Sequence, residues 1–380
     1  MKLTFDQRIS QALAERHKHG LQRQLTRLDC ANTAKLYQAD QSYINFSSND
    51  YLGLASDVEL AGVWKKGIDR FGNGSGASPL VTGFSHAHQA LEQRLCQWLG
   101  YSRAILFSSG FSANQALIFA LLQKGDLLLQ DKLNHASLME AGMLSEATMK
   151  RFKHNNLTHL QHLIEEHSLV MTEGVFSMDG DLAPLRAMAD ITCDKAWLAV
   201  DDAHGIGVLG QQGRGSCDQA KVRPQLLVVT FGKAFGLSGA AILCDEPTGD
   251  YLTQFARHHV YSTAIPPSLA YTLTHAIDMI DSQQWRRDKL QQLQACYHDL
   301  CGQLPGYVDT QTPIKPLLVG SSERALSLAT RLKEKGFWLT AIRPPTVPVG
   351  SARLRITLTA NHTLEQVAQL ASELKLALEN

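Results

Sequence analysis

Short apolar runs recur between about residues 100 and 245 of the chain. Each run is four to seven residues long, and stretches with helical periodicity, such as 112–122 and 157–166, separate several of them. Continuous apolar strands that alternate with helices are typical of a mainly parallel sheet covered by helices on both faces. The predicted strands are AILF (104–107), DLLLQ (126–130), LVMTE (169–173), WLAVDD (197–202), LLVVTFG (226–232) and AAILC (240–244).

The pattern differs on either side of this region. The first 45 residues are predicted to be helical and to end at the strand-like YINFSS (43–48). From Pro266 a long helical stretch runs to about residue 300, and strand, helix and strand signals follow it. We therefore predict an N-terminal helical segment (1–45), a large α/β domain (46–275) and a smaller C-terminal α+β domain (276–380).

Composition and charge exclude several classes of protein. The 36 basic residues balance the 36 acidic ones, so no overall field favours nucleic acid or an anionic membrane. The longest apolar run, 116–122, is far too short to span a bilayer. Seven scattered cysteines without a CxxC pair, and histidines without ligand partners at metal spacing, predict neither disulfides nor a metal site. We expect a cytoplasmic enzyme that binds no nucleic acid and no membrane.

Polar residues follow two of the predicted strands. Asp201 ends one strand, with His204 just beyond it, and the next strand ends in the segment TFGK (230–233), which contains Thr230 and Lys233. In parallel sheets, ligands bind beyond the carboxyl ends of the strands. Burial of Lys233 would lower the pKa of its amine and favour the neutral form that a Schiff base requires. Because an aspartate keeps a pyridinium nitrogen protonated, the pair of Asp201 and Lys233 predicts pyridoxal phosphate (PLP) chemistry.

The remaining parts of a PLP site occur in the same region. A phosphate group needs backbone N–H donors at the start of a helix, and residues 109–112 (SGFS) precede the helical pattern at 113–122. His135 follows the strand at 126–130 and is a candidate aromatic cover for the cofactor ring. Taken together and in order along the chain, these features favour PLP.

The glycine-rich GIGVLG (205–210) offers a different interpretation. It fits the dinucleotide pattern GxGxxG and follows an apolar strand, so an NAD-dependent oxidoreductase is an alternative. A dinucleotide fingerprint should open a helix of about ten or more residues, and the following QQGRGS cannot sustain one. A non-catalytic subunit with a PLP-enzyme fold is a further alternative, although such a subunit would lack the Schiff-base lysine.

Several segments resemble the α-oxoamine synthases, fold-type-I PLP enzymes that condense an amino acid with an acyl-CoA. The resemblance extends over nearly the whole chain from about residue 40. It implies the fold-type-I PLP-dependent transferase fold, a homodimer with active sites at the interface, and PLP as the cofactor. The matching segments are NFSSNDYLGL (45–54), FSSGFSANQA (107–116), NHASLMEA (134–141), TEGVFSMDGD (172–181), VDDAHGIGVLGQQGRG (200–215) and TFGKAFGLSGAA (230–241).

The resemblance also implies a role for individual residues. Lys233 would form the Schiff base, Asp201 would pair with the ring nitrogen, His204 and Ser177 would bind the ring oxygen, and His135 would stack on the ring. The implied catalytic residues are Lys233, His135, Asp201 and His204. The implied cofactor-binding residues are Gly110, Phe111, His135, Ser177, Asp201, His204, Thr230, Lys233, Ser262 and Thr263, the last two reaching the phosphate from a partner subunit. The implied substrate-binding residues are Arg23, Asn49, His135, Thr346 and Arg355.

The C-terminal segment 341–360 is most similar to the branch of this family that acts in biotin biosynthesis. That likeness implies L-alanine and a pimeloyl thioester, carried by CoA or by acyl carrier protein, as substrates. Pro79 stands where much of the wider family has an arginine, which speaks against the glycine-using relatives. A synthase that uses glycine or serine is the alternative within the family. Arg355 is also open to a second interpretation, because alternating strand residues are often solvated.

Overall fold

The computed structural model describes residues 3–30 and 33–379. None of the helices in these ranges is both long and apolar enough to cross a membrane. The strands are β1 Lys35–Gln38, β2 Gln41–Asn45, β3 Arg103–Phe107, β4 Leu127–Asp131, β5 Thr148–Phe152, β6 Ser168–Glu173, β7 Ala196–Asp201, β8 Leu226–Thr230, β9 Ala240–Cys244, β10 Ile314–Gly320, β11 Phe337–Trp338, β12 Thr340–Ile342 and β13 Ala352–Thr357. The helices are α1 Phe5–Lys18, α2 Val58–Phe71, α3 His86–Leu99, α4 Gly110–Leu121, α5 Ala136–Leu144, α6 Leu157–Leu163, α7 Leu185–Thr192, α8 Ser216–Gln219, α9 Glu246–Phe255, α10 Arg257–Val260, α11 Pro267–Ser282, α12 Gln284–Cys301, α13 Ser322–Glu334 and α14 Leu364–Glu379.

A seven-stranded sheet in the order β3-β9-β8-β7-β6-β4-β5 forms the centre of the molecule. Strands β8, β7, β6, β4 and β5 run parallel to their neighbours in this order, and β9 runs antiparallel to both β8 and β3. All six strands predicted from the apolar runs are present. The prediction of a mainly parallel sheet is therefore confirmed.

Both faces of this sheet are buried, which explains why its strands are apolar at successive positions. Val170 belongs to one hydrophobic core, which also contains residues of α3, α7 and α11. Its neighbour Met171 belongs to a second core, shared with α4, α5 and α9. Because consecutive strand residues point to opposite faces, a strand covered on both sides has no polar alternation.

Three elements differ from the prediction. Strand β5 was not expected, because its sequence TMKRF is polar and lies at the edge of the sheet. The first 45 residues are not helical throughout: α1 ends at Lys18, and β1 and β2 form an antiparallel hairpin. The long helical stretch after Pro266 is two helices, interrupted at Gln283, whose φ of −88° and ψ of 63° are not helical.

The C-terminal part of the chain contains a second sheet of three antiparallel strands, β10-β13-β12. A third small sheet joins distant parts of the sequence, because β11 pairs in parallel with β2 of the N-terminal hairpin. Residues 35–45 therefore pack with the C-terminal α+β part, although they precede the large sheet in sequence. The predicted division at residues 46 and 276 stays a prediction.

Candidate active site

Side chains at the carboxyl ends of the parallel strands surround one cavity of about 290 Å³. Asp201 ends β7, Thr230 ends β8, and Glu173 ends β6, so the strand ends bring together residues far apart in sequence. Eight of the residues predicted for the site line this cavity, so the structure brings them together. They are Asn49, Gly110, Phe111, His135, Asp201, His204, Thr230 and Lys233.

Asp201 is almost fully buried and is held by two donors. The side-chain amide of Asn114 donates to Oδ2 over 2.7 Å, and the backbone N–H of Ala203 donates to Oδ1 over 3.0 Å. Asn114 also donates to the Ser137 hydroxyl over 2.9 Å, which fixes the amide itself. Hydrogen bonds to a carboxylate stabilise its charged form. The surroundings of Asp201 are therefore built to keep a negative charge beneath the cavity.

The lysine opposite this carboxylate is in an environment that favours its neutral form. Burial lowers the pKa of the Lys233 amine, and the charge of Asp201 opposes that effect only in part. Burial also lowers the pKa of His135. The ring of His135 is oriented by Ser137, whose hydroxyl and backbone N–H lie 2.9 and 3.2 Å from Nδ1. An amine whose neutral form is favoured in this way is suited to bond formation with a carbonyl carbon.

The other end of the cavity fits a phosphate group. Helix α4 begins there at Gly110, and Ser109 caps it by accepting the Ser112 N–H over 3.1 Å. The first N–H groups of a helix have no partner within it and bind anions. The buried hydroxyl of Thr230 has no hydrogen-bond partner in the described chain. A Cβ on Gly110 would lie 2.5 Å from Thr230 Cγ2, so glycine keeps this cradle open.

A hydrogen-bond network connects the cavity with the C-terminal sheet. Arg355 on β13 donates through Nη1 to Asn49 Oδ1 over 3.0 Å and through Nε to the Ser177 carbonyl over 2.6 Å. The hydroxyl of buried Tyr51 lies 2.6 Å from His204 Nδ1. Because Nδ1 is engaged there, Nε2 is the nitrogen of His204 available to a ligand. Burial holds the pKa of His204 well below its ordinary value, so the ring is neutral.

Arg355 is buried rather than solvated, and so is Arg353. The alternating pattern of RLRIT suggested that arginines of this strand face solvent, and that interpretation is wrong. Arg353 forms an ion pair with Asp179 over 2.5 Å. The strand lies between β10 and β12, and its two arginines reach towards the loop that follows β6, which contains Ser177 and Asp179.

Six of the predicted residues lie outside the cavity lining, Arg355 among them. Ser177 contributes its backbone carbonyl to Arg355, and Arg23 and Thr346 are exposed. The segments that carry Arg23 and Thr346 are near each other, because the Arg343 guanidinium donates to the Gly20 carbonyl over 2.8 Å. Ser262 is half-buried and Thr263 is exposed. The roles assigned to all six stay predictions.

The glycine-rich 205–210 segment has a structural explanation. It forms turns and is followed by a single turn of 3-10 helix and the four-residue α8, so the helix of a dinucleotide fingerprint is absent. Asp202 is buried and accepts hydrogen bonds from the Ser216 hydroxyl and N–H. A Cβ on Gly174, Gly205 or Gly215 would lie within 2.3 Å of its carboxylate oxygens. These glycines make room for a buried carboxylate rather than for a dinucleotide.

Sequence reasoning missed three residues of the site. Asn114 holds Asp201, Tyr51 holds His204, and Glu173 lines the cavity next to Lys233. Each lies inside a segment that carried the family resemblance, but none was assigned a role. The position of Glu173 at a strand end was the one available signal, because strand ends are where a parallel sheet binds its ligand.

Comparisons with known proteins agree with this geometry. A family model for class I and II aminotransferases matches residues 41–374. The 8-amino-7-oxononanoate synthase of Vibrio cholerae serotype O1 is 65% identical over 381 aligned residues, which cover 100% of this chain and 99% of that protein. The chain belongs to the 8-amino-7-oxononanoate synthase family. The synthase of the same name from Aliivibrio fischeri is 58% identical over 97% of this chain and 98% of its own length.

Solved structures place the family in the fold-type-I PLP-dependent transferase class. The serine palmitoyltransferase of Sphingomonas wittichii superposes with a TM-score of 0.91 at 29% identity, over 99% of this chain and 98% of that one. The 8-amino-7-oxononanoate synthase of Francisella tularensis superposes with a TM-score of 0.80 at 33% identity, over 89% and 98%. The predicted fold class is therefore confirmed.

Proposed function

We propose that this chain is an 8-amino-7-oxononanoate synthase that joins L-alanine to a pimeloyl thioester. The products are 8-amino-7-oxononanoate, carbon dioxide and the free thiol of the carrier. This is a step of biotin biosynthesis. The observation that carries the proposal is the convergence of Lys233, Asp201, His204 and His135 on one cavity, in a chain that is 65% identical to a synthase of that name over its full length.

The cofactor is pyridoxal phosphate, and the residues present fit it. The N–H groups at the start of α4 and the unpartnered hydroxyl of Thr230 would hold the phosphate, Asp201 would hold the ring-nitrogen proton, and His204 Nε2 would face the ring oxygen. When bound, this cofactor would withdraw electrons from the α-carbon of the amino acid whose amino nitrogen it holds. The Asp201 carboxylate would maintain that property by stabilising the protonated ring nitrogen.

Lys233 is the residue that moves the proton. Its neutral Nζ can take a proton from the α-carbon of L-alanine and return one after carbon dioxide has left. Burial supports the first step, since it lowers the pKa of this amine. His135, held by Ser137 at the same cavity, orients the reacting face and excludes water from it.

Arg355 is the proposed partner of the amino-acid carboxylate. A guanidinium binds a carboxylate through two parallel hydrogen bonds, and Asn49 and Ser177 hold this one in place. Arg23 and Thr346 are proposed contacts of the acyl donor. The bond between Arg343 and Gly20 supports their placement on one side of the molecule.

A homodimer in the cytoplasm is the proposed form of the enzyme. Phe111 is 41% exposed at the cavity, and Tyr261, next to Ser262, is 76% exposed. Exposed aromatic side chains at a site are expected where a second subunit covers them. Ser262 and Thr263 would then reach the partner's phosphate site, as the family resemblance implies.

The test is thiol release by the PLP-loaded protein. L-alanine, glycine and L-serine are each offered with acetyl-, succinyl-, pimeloyl- and palmitoyl-CoA, and pimeloyl-acyl carrier protein is offered as a second form of the pimeloyl donor. We expect thiol release only when L-alanine is combined with a pimeloyl donor. Release that prefers glycine or serine with another acyl-CoA would overturn the substrate assignment and keep the chemistry.

A further inference from the structure

Glu173 and Asp201 form a pair of buried carboxyl groups beneath the cavity. Strands β6 and β7 are parallel neighbours, and Glu173 is paired in register with Asp201. Paired residues of adjacent strands point to the same face and lie about 5 Å apart. Glu173 is 3% exposed and Asp201 is 5% exposed. Both line the cavity that contains Lys233.

The surroundings of the two carboxyl groups differ. Asp201 receives hydrogen bonds on both oxygens, from Asn114 and from the backbone of Ala203. The backbone N–H of His135 only partly offsets the rise in the pKa of Glu173, and Glu173 Oε1 has no hydrogen-bond partner among the described residues. A buried carboxylate oxygen without a donor loses its hydration and gains nothing in exchange. The structure therefore supports the charge of Asp201 and gives little support to a charge on Glu173.

Two adjacent buried carboxyl groups do not both ionise readily, because each charge raises the free energy of the other. Glu173 has the poorer set of donors, so Glu173 is the member of the pair that favours its protonated form. Burial and the neighbouring Asp201 both raise the pKa of Glu173 well above its ordinary value, in agreement with this order. Lys233 opposes the effect but is itself disfavoured as a cation by burial.

We propose that Glu173 is held as a neutral carboxylic acid, the uncharged member of a pair with Asp201, and that its neutrality lets Lys233 lose its proton. Glu173 is a positioning residue, since it acts on the reaction through Lys233. This role rests on the proposed function, in which Lys233 must be an amine to accept the substrate proton. A second negative charge at this depth would instead hold Lys233 as an ammonium ion.

Infrared spectroscopy of protein labelled with ¹³C-glutamate detects the protonated carboxyl group without any need for activity. Burial raises the pKa of Glu92 to about 8, so Glu92 also contributes a protonated band at neutral pH. We expect Glu92→Gln to remove one band and Glu173→Gln to remove the other. Glu165→Gln is the matched control, since Glu165 lies near the start of β6 with 63% of its side chain exposed, and it should leave both bands unchanged.

Asp201→Asn tests whether the charge of Asp201 is what keeps Glu173 protonated. In a Glu92→Gln background, the remaining glutamate band should titrate at a pH lower by about one unit or more once the charge of Asp201 is gone. This measurement also covers the case in which Glu173→Gln does not fold. An unchanged titration, or the absence of a protonated band other than that of Glu92 at neutral pH, would overturn the proposal.

The effect on Lys233 is measured on the PLP-loaded protein from the pH dependence of its visible absorbance. Glutamine is uncharged, as Glu173 is proposed to be, so Glu173→Gln should shift the midpoint of this titration by no more than a few tenths of a unit. The substitution should also remove any change in absorbance at alkaline pH that ionisation of Glu173 causes. A midpoint lowered by about one unit or more would show a charged Glu173 and refute the proposal. Loss of thiol release with an intact titration would count against the proposed substrates instead.

Discussion

His154 connects a carboxylate at the end of β4 with a carboxylate in the loop that contains Ser177. Its Nδ1 lies 2.9 Å from Asp131 Oδ1, and its Nε2 lies 2.8 Å from Asp181 Oδ2. Asp131 ends β4 and is fully buried, while Asp181 lies in the loop that follows β6. Burial alone would lower the pKa of His154, but the two carboxylates outweigh it and raise that pKa to about 10. The imidazolium is therefore expected to stabilise the fold at neutral pH.

His154→Gln removes this charge and keeps one amide donor. The pKa rises by about 3.5 units from its ordinary value of 6.5, and each unit corresponds to about 1.4 kcal/mol, which gives a ceiling near 5 kcal/mol. The side chain is 26% exposed, so solvent screens part of the interaction. We expect the free energy of unfolding to fall by about 2–3 kcal/mol at pH 6.

The pH dependence has a definite sign. Because the pKa of His154 is higher in the folded protein, its contribution is complete below pH 6.5 and is lost as the pH rises through about 10. Urea unfolding of cofactor-free protein, followed by fluorescence at several pH values, measures the difference between wild type and variant. His162→Gln, on the exposed surface of α6, is the matched control and should have no such effect. A difference that stays constant or grows between pH 6.5 and 10 would refute the reasoning.

Four further predictions concern the site. Lys233→Ala should abolish turnover and the borohydride-reducible bond to PLP, and a retained, trapped cofactor on mass spectrometry would contradict the assignment. Asp201→Asn should keep the circular dichroism spectrum and lower kcat by roughly a hundredfold or more, since an amide cannot hold the ring proton. Gly110→Ala should weaken PLP binding roughly tenfold in an equilibrium titration, because its Cβ would lie 2.5 Å from Thr230 Cγ2. Arg355→Lys should raise the KM for the amino acid roughly tenfold with a smaller change in kcat, since lysine has no two-pronged donor.

The large sheet could be predicted because its physical cause is local. A strand buried on both faces must be apolar at successive positions, and six runs between residues 104 and 244 have that property. Edge strand β5 has only one fully buried residue, Phe152, so its sequence carries no such pattern. The break between α11 and α12 at Gln283 has neither glycine nor proline to announce it.

Only part of the candidate site could be predicted from the sequence. Asp201, Thr230 and Lys233 follow apolar strands, so their meeting at one sheet edge follows from the parallel topology. The contact of Arg355 with Asn49 joins residues 306 positions apart, and no pattern within either segment specifies it. The role of Asn114 is hidden for a similar reason, because its partner Asp201 is 87 residues away. Such pairings depend on how helices and small sheets pack, which local periodicity does not encode.

The glycines around Asp202 bear on how sequence motifs are interpreted. Gly174, Gly205 and Gly215 leave no room for a methyl group beside that carboxylate, so selection against larger residues there would be as strict as in a nucleotide-binding loop. A motif search based on glycine spacing cannot tell whether larger residues are excluded by a buried side chain or by a bound ligand. In a saturation mutagenesis library, the two would differ in another way: at a packing site, losses should track protein abundance, whereas at a ligand site abundance should stay normal while activity falls.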